Sequence, residues 1–305
     1  MRTVVKGTVL VTGATGFVGS HLVRRLLADG WRVHLLIRAG SPLKLVAELE
    51  TRLTVHRYHG TAEDLAAIVR QAAPDLVYHL ASLFLAQHRP EDIEPLICSN
   101  VLFPVQLLEA MTANGCHRLV NAGTSWQHYQ NRGYSPVNLY AASKQAFEVL
   151  MQYYLETTPL RVVTLKLFDT YGPGDPRPKL IKLLNTVARQ STLLAMSPGE
   201  QLIDLVHIDD VVEAFVLAGE RLLDSLVEGH ESFPVSSARP LPLRELAALY
   251  EKILGKKLPL EWGGRPYRPR EVMVPWNDGR PLPGWRPRVG LEQGLASIIE
   301  SGENC

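Results

Sequence analysis

Through the first 170 residues, short apolar runs alternate with stretches whose apolar residues recur every three to four positions. The runs at 8–11, 31–37, 53–58, 75–79, 118–121 and 161–167 are rich in Val, Leu and Ile and barely alternate in polarity. Strands covered on both faces read this way. Between them, 17–28, 62–72, 93–113 and 140–156 carry the helical period, and Gly30 follows the first of these as a stop signal. Alternation at this spacing predicts right-handed crossovers and an α/β fold with a doubly wound parallel sheet. The rhythm changes at 171–178, the turn-rich YGPGDPRP. Beyond it the pattern predicts a helix at 179–190, a strand at 201–207, a helix at 209–218, a strand at 233–236 and a helix at 242–254. The chain thus divides into residues 1–170, with returning segments near 204–236, and a smaller C-terminal part, mostly 171–305. There is no internal repeat and no low-complexity tract.

Composition narrows the classes. The chain has 305 residues, 46% hydrophobic and 21% charged, the balance of a globular protein. A net charge of +1 gives no basic excess for nucleic acid. Cys98, Cys116 and Cys305 are odd in number and fit no zinc or CxxC spacing. Reduced thiols in a cytoplasmic protein without a metal site are therefore expected. No apolar run reaches the length of a membrane span and the N-terminus opens directly on a strand pattern, so neither membrane association nor secretion is expected.

Gly13-Ala14-Thr15-Gly16-Phe17-Val18-Gly19 gives G-x-x-G-x-x-G between the first strand and the first helix. Glycines there let the backbone turn tightly and approach a pyrophosphate, while the helix start offers N–H groups and a positive dipole end. In this βαβ context the motif predicts a Rossmann dinucleotide site. The second strand indicates which dinucleotide. NAD sites usually place an acid at its end for the ribose 2′-hydroxyl. Here the strand runs into Arg38-Ala39-Gly40-Ser41, and no acid occurs between Gly30 and Ala47. Arg38 suits a 2′-phosphate, with Ser41 as a further donor. NADP(H) is favoured, with NAD(H) possible.

Tyr140-Ala141-Ala142-Ser143-Lys144 places a phenol and an ammonium four apart at a helix start, on one face. Lys144 would lower the phenol pKa and could hold a ribose hydroxyl. Tyr140 could pass a proton to or from a substrate oxygen. Thr124 follows a later strand, at the carboxyl edge where ligands bind open parallel sheets.

With these residues in view, the chain resembles the extended short-chain dehydrogenase/reductase family. Further matches are His79-Leu80-Ala81-Ser82, Asn100-Val101, Tyr171-Gly172-Pro173 and Val206-His207-Ile208-Asp209-Asp210-Val211. The resemblance implies a Rossmann domain with a smaller C-terminal substrate-binding domain, acting largely on nucleotide-linked sugars. It implies catalytic roles for Thr124, Tyr140 and Lys144 and cofactor contacts at Leu80 and Ala81. Asn100 falls near the active site, and His207 and Asp209 in a mainly structural motif. A narrower resemblance is to CDP-abequose and CDP-paratose synthase-like reductases, through Thr124-Ser125-Trp126-Gln127-His128-Tyr129, residues 136–148 and Leu167-Phe168-Asp169-Thr170-Tyr171-Gly172. It implies NADPH-dependent reduction of a nucleotide-linked 4-keto-6-deoxyhexose.

Departures from the family pattern refine this. Related dehydratases follow the catalytic Thr with Asp and Glu; Ser125 and Trp126 stand here, and neither is a carboxyl acid/base. Asp169 replaces an Asn that contacts the diphosphate in relatives, so its carboxylate must point elsewhere or bond to base or ribose. Gly60-Thr61 stands where relatives carry an adenine-side Asp, and Asp64 reads as a helix-start acid. Residues 265–288 hold six arginines against two acids. Arg270 is the first candidate for the diphosphate, with Arg268 and Lys179 behind it. Asn100, Ser125, Trp126 and His128 are expected on the substrate side. Relatives pair two long helices, here 93–113 and 140–156, so a homodimer is expected. The competing functions are a nucleotide-sugar 4-epimerase that retains NAD, and a non-catalytic dinucleotide sensor.

Overall fold

A computed structural model of the chain describes residues 6–300; Cys305, the third thiol, lies outside them. Seven parallel strands form the central sheet. They are β1 (Thr8–Thr12), β2 (Arg32–Arg38), β3 (Thr54–Tyr58), β4 (Leu76–His79), β5 (Arg118–Thr124), β6 (Arg161–Leu167) and, after four short strands, β11 (His230–Val235). Their spatial order is β11-β6-β5-β4-β1-β2-β3, so the doubly wound parallel sheet expected from the pattern is present. The order reverses between β1 and β4, which opens a crevice at the carboxyl ends of these two strands.

Both faces of the sheet are covered, which explains why its strands do not alternate. Val9 and Val11 of β1 pack with Leu22, Val23 and Leu26 of α1 (Phe17–Ala28) and with Val211 and Phe215 of α7 (Ile208–Leu223). Leu10, between them, points to the other face. There it joins Leu65 of α2 (Ala62–Ala72), Leu107 and Met111 of α4 (Phe103–Ala113), and Phe147 and Met151 of α5 (Leu139–Thr157). A third core lies in the C-terminal half, around Leu184 of α6 (Leu180–Gln190), Leu246 and Tyr250 of α8 (Leu243–Leu254) and Leu295 of α9 (Leu291–Glu300). The short strands β7 (Asp169–Tyr171), β8 (Leu194–Met196), β9 (Leu202–Ile203), β10 (Leu205–His207), β12 (Leu241–Pro242) and β13 (Leu260–Trp262) pair two by two.

Four differences from the sequence pattern have physical causes. The helix expected over 93–113 is interrupted: α3 (Ile93–Ile97) passes through a wider π turn at Cys98–Leu102 before α4. Pro104 has no N–H for the regular ladder, and the widened turn is closed by Phe103 N–H donating to the Cys98 carbonyl. The strand expected over 201–207 breaks at Asp204, whose buried carboxylate accepts from the Ser236 hydroxyl and the Ser237 N–H. The helix expected to stop at 218 runs to Leu223, because Gly219 marks a close approach rather than an end: a Cβ there would strike the Tyr78 hydroxyl. The strand expected over 118–121 continues to Thr124, its last three residues pairing with β6.

Pro90–Ala113 is long and apolar enough to cross a membrane by length and composition. In the fold it is a layer helix whose Leu96, Leu107, Leu108 and Met111 are buried.

His34 on β2 and His56 on β3 are both buried and stack, with Nδ1 of His34 2.9 Å from Nε2 of His56. One of the two must donate and the other accept, so the accepting nitrogen cannot take a proton without breaking the contact. Burial, then the neighbouring His56, brings His34 from 6.5 down to about 4. The unfolded chain therefore binds more protons across this window, and stability falls as pH drops from 6.5 toward 4. Thermal melts across this range should show that loss, and His34→Val should flatten it; an unchanged slope in the variant would remove the pair as its source.

Candidate functional site

The β1–α1 turn forms the floor of the crevice. Gly13 has φ +72, and a Cβ on it would lie 2.5 Å from the Ala81 nitrogen and 2.6 Å from the Leu80 carbonyl carbon. A Cβ on Gly19 would strike the Gly13 carbonyl. The turn is thus pressed against the exit of β4, where Thr12 Oγ1 accepts from the Ala81 N–H at 3.1 Å. Gly16 begins α1 with no side-chain cap. A cavity of about 560 Å³ runs from Gly13, Thr15 and Gly16 past Leu80 and Ala81 to Arg38 and Ser41. The Arg38 side chain is exposed at its mouth.

A second cavity, about 250 Å³, continues from Gly13, Gly16, Phe17, Val18 and Gly19 to Thr124, Ser125, Trp126 and Tyr140. The glycine turn and residues about a third of the chain further on are thereby brought to one crevice. Thr124 ends β5, and its Oγ1 accepts from the Trp126 N–H at 3.3 Å, starting a short 3₁₀ turn, Ser125–Gln127. Asn138 caps α5 by accepting from the Ala141 N–H, which fixes the helix start that presents Tyr140.

Lys144 stands one turn further along α5 and is buried. Burial brings its ammonium down to about 8. The expectation that Lys144 lowers the Tyr140 phenol is corrected. Burial pushes Tyr140 up to about 12, and the groups offsetting that rise are the Ser82 hydroxyl and Arg177. Lys144 lies instead in the field of Glu148 and Lys166.

The substrate-side candidates divide. Asn100 is fully buried in the π turn. It donates to the Leu83 carbonyl and Ser143 Oγ and accepts from the Leu83 N–H and Ser82 Oγ, at 2.8–3.0 Å. Its amide is spent on the protein, so its assignment to substrate contact is corrected: it ties the segment after β4 to α5. Lys179 and Arg268 meet in a third cavity of about 320 Å³ beneath α6, with Phe84, Trp126 and Asp169. Asp169 pairs with Lys179 at 3.2 Å, so its carboxylate is matched within the cavity. Arg268 pairs with Glu271 at 2.9 Å and lies 5.8 Å over the Trp126 ring.

Arg270 is placed apart from Lys179. It has φ +57, donates to Ser135 Oγ at 2.8 Å and covers the Tyr129 ring. It lines a further cavity, about 840 Å³, with Ser125, Trp126, His128 and Arg268. His128 there stacks on Trp276 at 4.1 Å, and burial lowers its pKa. Arg268 thus borders two cavities, sharing one with Lys179 and the other with Arg270. Thr61 caps α2 by accepting from the Asp64 N–H, and the Asp64 carboxylate accepts from the His59 N–H, so Asp64 is a helix-start acid. No cluster of metal-ligating side chains occurs among the described residues.

Two neighbours were not singled out from sequence. Phe84 stands edge-on to Tyr140 at 4.9 Å and tilted on Trp126 at 5.7 Å. Arg177 lies 4.7 Å over Phe17 in the glycine-turn crevice, held by Asp175. The cation in YGPGDPRP was a readable signal for Arg177; nothing in sequence marked Phe84. The crevice as a whole combines an anion-accepting backbone turn with a hydroxyl, a phenol and several cations, which fits proton transfer beside a phosphate-bearing ligand.

The comparisons with known proteins agree with this geometry. Residues 9–228 match the NAD dependent epimerase/dehydratase family. The CDP-abequose synthase of Yersinia pseudotuberculosis is 27% identical over 268 residues, 88% of this chain and 91% of that one. The UDP-glucose 4-epimerase of Mycolicibacterium smegmatis is 28% identical over 314 residues, 97% and 98% of the two chains. Among solved structures, the UDP-glucuronic acid 4-epimerase from Bacillus cereus, in complex with UDP-glucuronic acid and NAD, superposes with TM-score 0.85 at 25% identity over 96% of this chain and 98% of that one. The glycine turn, the Thr124–Tyr140 crevice and the match over most of the chain together place this protein in the NAD-dependent epimerase/dehydratase family, the extended short-chain dehydrogenase/reductases.

Proposed function

We propose that this protein is an NADPH-dependent reductase of the 4-keto group of a nucleotide-linked 4-keto-6-deoxy sugar. The observation that carries the reading is the crevice where the glycine turn, Thr124 and Tyr140 meet with no carboxylic acid after Thr124. A ketone reduction needs one proton donor and one oxyanion donor, and an elimination of water needs acids that Ser125 and Trp126 cannot supply. NADPH, when bound, supplies the hydride. Thr124 Oγ1 hydrogen-bonds the developing alkoxide, Tyr140 protonates it, and Lys144 holds the cofactor ribose. In this reading residues 1–170, with the returning segments near 204–236, bind the cofactor, and 171–305 mostly bind substrate. Lys179 and Arg268 take the diphosphate, Ser125, Trp126 and His128 shape the sugar pocket, and Arg270 borders its outer part.

A second reading, a nucleotide-sugar 4-epimerase with retained NAD, is favoured by the likeness to 4-epimerases, one of them solved with NAD. Arg38 at the end of β2, with no acid beside it, supports NADP(H) instead. Protein carrying tightly bound NAD and consuming no NADPH with any 4-keto sugar would select the epimerase.

Exposed apolar side chains cluster on adjacent helices: Ile93 and Ile97 on α3, and Val149, Leu150 and Tyr153 on α5. We propose that this face pairs two copies about a twofold axis. Light scattering should show a dimer, and Val149→Asp a monomer; a monomeric wild type at micromolar concentration would end the proposal.

Arg38→Ala should weaken NADPH about 10- to 150-fold, the equivalent of one charged hydrogen bond, and leave NADH nearly unchanged. Equal losses for both cofactors would defeat the assignment. Tyr140→Phe should keep the fold and NADPH binding while single-turnover reduction of the keto sugar falls about 10²–10⁴-fold. Lys144→Ala should lower both. A Tyr140→Phe enzyme within a few-fold of wild type would overturn the mechanism.

A further inference from the structure

Behind Thr124 lies a buried ion pair that the proposed chemistry leaves unused. Lys166 of β6 and Glu148 of α5 are 2.7 Å apart, their side chains only 3% and 8% exposed. The Lys166 ammonium donates to both carboxylate oxygens. Glu148 also accepts from Gln127 Nε2 at 3.1 Å, and Gln145 Oε1 accepts from the same nitrogen at 2.7 Å. Gln127 is fully buried, and its Oε1 accepts from the Thr124 backbone N–H at 3.1 Å. The chain of contacts thus runs without a break from the ion pair to the backbone of the residue at the crevice.

The backbone has been opened for it. A Cβ on Gly123 would lie 2.8 Å from Lys166 Cδ and 3.3 Å from Gln127 Oε1, so the lysine stem crosses where a side chain would stand. A buried pair of this kind is a weak source of stability against apolar residues of equal volume, because desolvation offsets most of the attraction. Its placement therefore calls for a positional explanation.

The same pair bears on Lys144. Tyr140, Lys144 and Glu148 follow at intervals of four on α5, so all three share one face. The groups acting on the Lys144 ammonium are Glu148 from its own helix, which favours the charged form, and Lys166 from β6, which opposes it. His79 of β4 also feels Lys144 and is buried and neutral. Glu148 outweighs Lys166 in this balance.

We propose that the Glu148–Lys166 pair, tied through Gln127 to the Thr124 N–H, is a positioning device that fixes the Thr124 turn and sustains the charge of Lys144. The proposal rests on the roles given to Thr124 and Lys144 above. Its consequences separate into a geometric one at Gln127 and an electrostatic one at Glu148. Lys144, brought to about 8 by burial, loses its proton in the mildly alkaline range, and its grip on the cofactor ribose weakens there.

The test combines NADPH titration, followed by protein fluorescence from mildly acidic to alkaline pH, with steady-state reduction of a nucleotide-linked 4-keto-6-deoxy sugar. Glu148→Gln should move the alkaline fall in NADPH affinity to lower pH by about one to three units, the usual effect of losing a close opposite charge. Lys166→Arg, which keeps the pair, should leave it near the wild-type position. Gln127→Met should lower kcat about five- to tenfold with KM and NADPH affinity unchanged, as for one lost hydrogen bond. A folded Glu148→Gln protein whose alkaline fall coincides with that of wild type overturns the electrostatic half. If that variant does not fold, Gln127→Met still decides: kcat within twofold of wild type overturns the device. A wild type that reduces no keto sugar, yet shows the Glu148→Gln displacement in binding, sinks the reductase reading and leaves the inference standing.

Discussion

The architecture depends on one contact that only glycine permits: the β1–α1 turn pressed onto the exit of β4. Gly13 has no room for a Cβ against Leu80 and Ala81, and Gly19 has none against Gly13. Thr12 reinforces the join, accepting from the Ala81 N–H and lying 2.9 Å from Nδ1 of buried His79. Because β1 and β4 are neighbours at the point where strand order reverses, this contact determines how the crevice opens. Moving the turn outward by one methyl would displace the helix start that faces the ligand and the floor on which Tyr140 and Thr124 converge.

Around that floor, charge is neutralised locally rather than left to solvent. Asp169 and Lys179, Arg268 and Glu271, and Asp175 and Arg177 are partners, each within 3.2 Å. Each cation lines a cavity and each is held by a carboxylate, so the site carries anchored donors in place of mobile ones. Anchoring lowers the ordering entropy that binding a diphosphate would otherwise cost. It also explains how Asp169 can border three of the four cavities without repelling an anionic ligand: its charge is already matched.

The seven-stranded half was legible in the sequence because local pattern and tertiary role coincide there. Phe17–Ala28 and Ala62–Ala72 form over the residues the period marks, and each buried strand carries its own apolar run. Legibility fails where a residue's role is set by a partner far along the chain. Asn100 carries a family signature near the site, yet its amide is consumed by Ser82, Leu83 and Ser143. Arg270 and Arg268 are two residues apart and equal as sequence, but the positive φ of Arg270 turns it toward Tyr129 and Ser135. Phe84 lies in a stretch with no regular period and is held over Tyr140 by ties from Asn100 and Asn138 to the segment after β4.

The buried groups on α5 show why spacing alone misassigned the tuning of Tyr140. Four-residue spacing puts Tyr140, Lys144 and Glu148 on one face, and sequence read the nearest opposite function, phenol and ammonium, as the coupled pair. In the fold the ammonium is deeper than the phenol and nearer in effect to the pair that Glu148 of the same helix makes with Lys166 of β6. The phenol meets the crevice, where Ser82 and Arg177 approach from segments that follow β4 and β7. The same helix face thus serves two environments, the crevice lining at Tyr140 and the buried interior from Lys144 onward. Periodicity specifies the face and leaves open which of its residues meets the solvent, since that boundary is set by whatever packs across it.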